Sequence, residues 1–114
     1  MAVTFEKLAK LASKKGKMGA VAKYLKSKSE DVRTDALKAL GYCGTEDAIN
    51  LLTNWSYSEN PAERLAAVTA LGMCGKEYSM TQMRYQLESE TVPEVKEALR
   101  AAIAAIRERI AGQA

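Results

Sequence analysis

Cys43 and Cys74 are the only thiols in this 114-residue chain, and they stand 31 residues apart. A thiolate can attack a carbonyl, bind zinc or close a disulfide, but each task needs a companion: a base, further ligands or a second sulfur within reach. The chain contains no histidine, so the commonest general base and the commonest metal ligand at neutral pH are missing. Two cysteines do not supply a four-ligand zinc site or a disulfide framework. No glycine-rich phosphate loop follows a strand-like run, and no serine or cysteine is paired with a base. An enzyme is therefore not expected, and neither is a cofactor or a bound metal.

Charge is the second source of chemistry. Up to Lys28 there are eight lysines and one acid, Glu6, a segment charge of +7; from Ser29 onward the balance is −4, so the overall +3 conceals a cationic start on a mildly acidic body. Such a start can touch nucleic acid, an anionic membrane or an acidic protein. Arginine, the better phosphate fork, is absent from it, and the lysines are spread over two predicted helices and a loop, which also describes a solvated face. Lys14, Lys15, Lys17 and Lys23 are the candidate contacts of a nucleic-acid-binding alternative. No apolar run approaches the roughly 20 residues that span a bilayer, and "MAVTFEKLAK" lacks the apolar core of a secretory signal. A cytoplasmic location without membrane contact is expected.

The elements that carry these residues repeat. Ala, Leu, Lys and Glu dominate the composition, which favours an all-α fold. "ALGYCG" at 39–44 returns as "ALGMCG" at 70–75, and the match extends upstream, "DVRTDALKALGYCG" lying against "AERLAAVTALGMCG". A third copy, "EVKEALRAAIAAI", places Val95 and Lys96 on Val32 and Arg33, and Ile103 and Ile106 on Leu40 and Cys43. A slide of one residue would instead put Ala98 and Leu99 on Ala36 and Leu37. The first register is preferred because Leu99, Ile103, Ile106 and Ile110 then form one helical stripe.

Between these helices lie others with a shared apolar face. Met18, Val21, Ala22 and Leu25 recur as Ala48, Leu51, Leu52 and Trp55, and again as Met80, Met83 and Leu87 with Arg84 interrupting. The unit is a helical hairpin of about 31 residues. A leading helix, capped by Thr4 and burying Phe5, Leu8, Ala9 and Ala12, ends in "SKKGK". One domain of seven helices follows, with a leading segment at 1–17 and repeats at 18–44, 45–75 and 76–111.

Short side chains at Ala36, Ala39 and their equivalents allow close helix approach, and Gly44 and Gly75 are expected as left-handed stops. Thr45, Glu46 and Asp47 restart the chain with a hydroxyl cap and acids at the positive helix end. Equivalent cysteines in stacked helices lie roughly 8–10 Å apart, too far for a disulfide, so both are expected as small buried hydrophobes. Trp55, Met18, Met80 and Met83 follow core spacing, whereas Tyr57 and Tyr85 are expected on the outer surface.

At "DVRTDALKALGYCG", with its acid, Val-Arg pair, spaced alanines and Ala-Leu-Gly, the chain resembles the HEAT-repeat family, particularly the short bacterial and archaeal repeats related to phycobilisome lyase subunits. The resemblance covers roughly Gly19 to Ile106. It implies a right-handed α-α superhelix and a non-enzymatic scaffold or interaction module, and it gives Arg33 and Arg64 a place in a ladder of bonds between repeats. Lys96 departs from that pattern and cannot reproduce the planar fork, so the ladder is expected to weaken towards the C-terminus. Glu63, where valine is expected, and Arg84 are two more departures, both placed at the core edge. An accessory subunit of a chromophore lyase is a third possibility resting on the resemblance alone.

Projected at 100° per residue, Thr34, Lys38 and Gly41 fall opposite the buried side of their helix. Their equivalents are Leu65, Thr69 and Gly72, then Glu97, Ala101 and Ala104. This row is expected on the concave surface, the usual partner face of solenoids, with its small residues admitting a partner's backbone. Tyr42 and Met73 flank Leu65 there. A protein partner is expected on Thr34, Lys38, Tyr42, Leu65, Thr69, Met73, Glu97 and Ala101. The alanines on several sides of "ALRAAIAAIRERI" also suggest self-association through the terminal helices.

Overall fold

The computed structural model describes residues 3–113; Met1 and Ala2 of the predicted leading segment, and Ala114, lie outside them. Side-chain caps set most helix starts. Thr4 accepts from the Lys7 N–H to open α1 (Phe5–Ala12), Ser29 from Val32 to open α3 (Glu30–Leu40), and Thr45 from Ala48 to open α4 (Glu46–Trp55). Asn60 caps α5 (Pro61–Cys74), whose proline at the first position has no N–H to satisfy. α6 (Glu77–Ser89) and α7 (Pro93–Gly112) complete the later hairpins.

The first hairpin departs from the single amphipathic helix expected over Met18 to Leu25. It holds a five-residue α2 (Met18–Ala22) that tightens into a 3-10 turn, Lys23–Lys26. The physical reasons are local: no side chain caps the start, no acid sits in the first turn, and Gly19 lies inside.

Among the described residues the structure has seven α-helices and that one 3-10 turn, with no strand. α1, α3, α5 and α7 pack side by side as one layer, and α2 with its 3-10 extension, α4 and α6 form the other. The slab is 19 Å thick, about two helix diameters. α1 takes the position of a second helix, so it is the leading half of a hairpin. No described helix is long and apolar enough to cross a membrane.

The second-helix layer is close-packed through its smallest residues. Ala36, Ala39, Ala67 and Ala70 are fully buried, with Leu37, Leu40, Val68 and Leu71 filling the space between helices. Gly41 and Gly72, expected to face a partner, are buried against the next helix instead. A Cβ on Gly41 would lie 3.1 Å from the Ala70 Cα, and one on Gly72 would lie 3.2 Å from the Ala102 Cα. The closeness these glycines permit is used inside the chain. The same step from Gly41 to Ala70 and from Gly72 to Ala102 also agrees with the register that equates Val95 and Lys96 with Val32 and Arg33.

Gly44 has φ +67°, the left-handed stop expected of it. Gly75 does not: its φ of −63° and ψ of 159° are ordinary extended backbone. Its need for glycine is steric, since a Cβ there would sit 2.6 Å from the Leu71 carbonyl oxygen and 2.7 Å from Ile106 Cδ1.

Several expected core residues are only partly covered. Cys43, Cys74, Trp55, Met18, Phe5 and Ala9 pack on the core as half-buried side chains. Cys43 lies in the turn after α3, Cys74 in the last turn of α5 and Trp55 in the last turn of α4. Phe5 and Ala9 lie on the end helix, which has a neighbour on one side only. Met80 and Met83 are buried, as their spacing predicts.

Candidate partner-binding surface

A polar ladder fixes the spacing of the second helices. Arg33 Nε donates to Glu63 Oε2 at 2.7 Å while its Nη1 donates to the Ser27 carbonyl at 2.9 Å. One repeat on, Arg64 grips Glu90 with two bonds of 2.9 Å and also donates to the Ser58 and Glu59 carbonyls. Each arginine thus ties its own hairpin loop to the carboxylate of the next repeat.

Glu63 is not at the core edge, as sequence reasoning placed it, but is buried to 7% exposure. Burial is tolerated because Arg33 neutralises one oxygen and Ser58 Oγ donates to the other at 2.5 Å. Burial raises the Glu63 pKa, but the bonds from Ser58 and Arg33 outweigh it and leave the carboxyl below its usual range. Glu90 is also held low, chiefly by the Arg64 hydrogen bonds acting against its burial. The ladder stops there: Lys96 has no carboxylate within 4.0 Å among the described residues. Arg84 is exposed on α6, consistent with an edge position.

On the solvent side of this layer the structure brings most of the predicted row together. Thr34 and Lys38 of α3 face Leu65 and Thr69 of α5 across a groove of about 350 Å³, with Glu30 and Asp31 at its mouth. Thr69 also lines a second groove of about 260 Å³, shared with Met73, Ala98, Ala101 and Ala105. Leu65 is half-buried against the core rather than free in solvent. Met73 is exposed, and so is Tyr42, whose ring lies 6.3 Å from that of Phe5. Glu97 lies outside both grooves and pairs with Arg100 at 3.5 Å.

The candidate lysines divide. Lys14 and Lys15 line a cleft of about 430 Å³ beside Cys43, Thr45 and Asp47, the last adding a negative charge. Lys17 lies just beyond them, and Lys23 sits on the 3-10 turn with its ammonium 5.3 Å from the Tyr24 ring. Both thiols are poor nucleophiles here. Burial raises the Cys43 pKa, and it pushes Cys74 up to about 11 despite the nearby Arg109 charge.

Two sets of contacts escaped sequence reasoning. On the outer layer, Glu46 accepts from Lys76 Nζ and from the Tyr78 hydroxyl, each at 2.6 Å, and the bond to Glu46 raises the Tyr78 pKa to about 12. Gln82 donates to the Tyr57 hydroxyl and Gln86 to Ser56, while Tyr57 and Tyr85 themselves are exposed as expected. On the other layer, Arg109 of α7 donates to the carbonyls of Gly72, at 3.0 Å, and Gly75, capping the end of α5 from outside. The loop serines 27, 58 and 89 recur at a spacing of 31 residues and would have signalled the ladder's anchors. Arg109 has no counterpart in the earlier repeats, so no pattern points to it.

Hairpins that share one continuous core, each tied to the next by an arginine reaching a carboxylate of the following repeat, define an α-helical repeat protein. A scan against protein-family models matches HEAT repeats over residues 19–104, and the chain belongs to that family. No significant match to a curated protein or to a solved structure accompanies it.

Proposed function

We propose that this HEAT-repeat protein is an interaction module that binds a protein partner across the second-helix layer, with no chemical step of its own. The contact set is Thr34, Lys38, Tyr42, Leu65, Thr69, Met73, Glu97 and Ala101, on a single repeat domain divided at 18–44, 45–75 and 76–111. The observation that carries this reading is the pair of grooves flanking α5, which meet at Thr69. Close packing of the second helices, with the first helices set wider apart, supports curvature towards this row, and HEAT repeats generally mediate protein–protein interaction. A photo-crosslinking residue at Thr69 should capture the partner in the native cell and one at Tyr85 should not. Capture from Tyr85 alone overturns the reading.

The nucleic-acid alternative rests on Lys14, Lys15, Lys17 and Lys23, and the acids Glu30 and Asp31 keep it away from the grooves. Binding of DNA or RNA that falls steeply with salt supports it, and no binding at low salt removes it. Self-association through α7 has exposed Ala101, Ala104, Ala105 and Ala111 in its favour and exposed Arg100, Arg107 and Glu108 against it. Sedimentation across a concentration series decides that question.

A further inference from the structure

The two grooves differ in a way that specifies their occupant. The first runs along α3 beside the N-terminal half of α5, the second between the C-terminal half of α5 and the middle of α7. Their centres are offset by about six residues along α5, roughly 9 Å at 1.5 Å per residue. Across the layer they are separated by one interhelix distance, roughly 8–10 Å. The diagonal between them is then roughly 12–13 Å and crosses α5 at about 45°, similar in magnitude to the commonest angle for one helix packing on another.

Two turns of an α-helix advance about 11 Å, so apolar residues at i and i+7 of a partner helix reach both grooves, with i+4 passing over Thr69. An extended peptide fits the spacing but not the chemistry. The second groove is lined by Gly72, Met73 and alanines, and the two threonine hydroxyls nearby are already turned onto the Asp31 and Leu65 carbonyls. An extended backbone laid there would find no free side-chain donor in the second groove and would depend on water for its C=O groups, whereas a helix satisfies its own.

Charge then fixes one flank. Glu30 and Asp31 line the mouth of the first groove, no acid lines the second, and the one cation in the first, Lys38, lies 3.8 Å from Asp35 and 5.5 Å from the Phe5 ring. We infer that the partner presents an amphipathic α-helix, seated obliquely across α5, with large apolar residues two turns apart and a basic flank over Glu30 and Asp31. The inference rests on the second-helix layer being the binding face.

The test uses the whole chain and three labelled 20-residue alanine-based peptides carrying leucine at i, i+4 and i+7. One has lysines on the flank, one has glutamates, and one has the lysines plus a central proline. The lysine-flanked helix should bind tightest and shift the amide NMR signals of Thr34, Leu65, Thr69, Met73 and Ala101. Thr69→Arg, at an exposed position shared by both grooves, should weaken it at least tenfold with an unchanged melting temperature. Ala101→Arg provides the same loss from the opposite wall if the first variant does not fold. Asp31→Lys should reverse the preference between lysine and glutamate flanks. Equal binding by the proline peptide at the same residues overturns the helix but leaves the surface standing. Shifts confined to α4 and α6 overturn both, and no shift with any peptide at millimolar concentration overturns the helix.

Discussion

The two helix layers hold together by different means. In the second-helix layer the backbones close up where Gly41 meets Ala70 and Gly72 meets Ala102, among the buried alanines Ala36, Ala39 and Ala67, and the polar contacts between these helices lie at their ends, Arg33 to Glu63 and Arg109 to the Gly72 and Gly75 carbonyls. In the first-helix layer the helices stand farther apart, bridged by long polar side chains: Lys76 and Tyr78 to Glu46, Gln82 to Tyr57, Gln86 to Ser56. Close packing punishes any added volume, whereas the exposed bridges to Glu46 and Tyr57 tolerate substitution because their net worth is small; the bridge from Gln86 to the buried Ser56 is the exception. The Arg33 and Arg64 ladder sits where the layers join and is buried enough to belong with the sensitive one.

The largest effect is therefore expected at the ladder. Glu63→Ala leaves Arg33 without its carboxylate and should destabilise the fold by about 3 kcal/mol, the low end for a broken buried pair because the Arg33 side chain keeps 20% exposure. Adding Arg33→Leu to Glu63→Val, the residue found at Val32 and Val95, should recover most of that loss. Urea unfolding of Arg33→Leu, Glu63→Val and the double closes the cycle. If the double is as unstable as the singles, the bridge is not what holds α3 to α5.

Next comes added volume in the close-packed layer. Ala67 is fully buried, so Ala67→Leu should lose about 2 kcal/mol, which thermal melting reads as a fall of roughly 8 °C at about 4 °C per kcal/mol. Lys23, exposed on the 3-10 turn, should be silent to alanine. Equal melting temperatures would mean that the layers do not differ as described.

The close-packed side of this contrast is largely legible in the sequence, and the bridged side is not. Alanine at fixed spacing marks the close-packed layer because only small side chains fit it, and the apolar stripes give seven helices. The exceptions are contacts that depend on three-dimensional neighbours. Glu63 reads as a misplaced charge until Arg33 and Ser58 are seen around it. Gly75 reads as a left-handed stop until Ile106 is found beside it. Gly41 and Gly72 project away from the hairpin's own core, yet the next hairpin covers them, which a single-helix projection leaves out.

Arg109 gives a smaller effect. It donates to two carbonyls at the end of α5, and Arg109→Met should lose about 1.5 kcal/mol. Hydrogen exchange should locate the loss, with faster opening in the last turn of α5 and unchanged rates in α4. Uniform acceleration would make Arg109 a global rather than a local cap.

Acid should separate the layers without mutation. Glu63 and Glu90 have carboxyls below their usual range in the folded state, against an unfolded value of about 4.3. Their contribution is complete above that unfolded value and is lost as pH falls through the lower folded values. Stability should hold from pH 7 to about 5 and decline below about 4, and the Arg33→Leu, Glu63→Val double should flatten that decline. Glu46 is also held low, first by the Lys76 bond and then by that from Tyr78, but it is exposed in the outer layer. Glu46→Gln should leave both the melting temperature at pH 7 and the shape of the acid limb unchanged, because solvent screens its bridge as it does not screen the ladder. A decline that follows Glu46 instead would place the load-carrying charges in the outer layer and reverse the comparison.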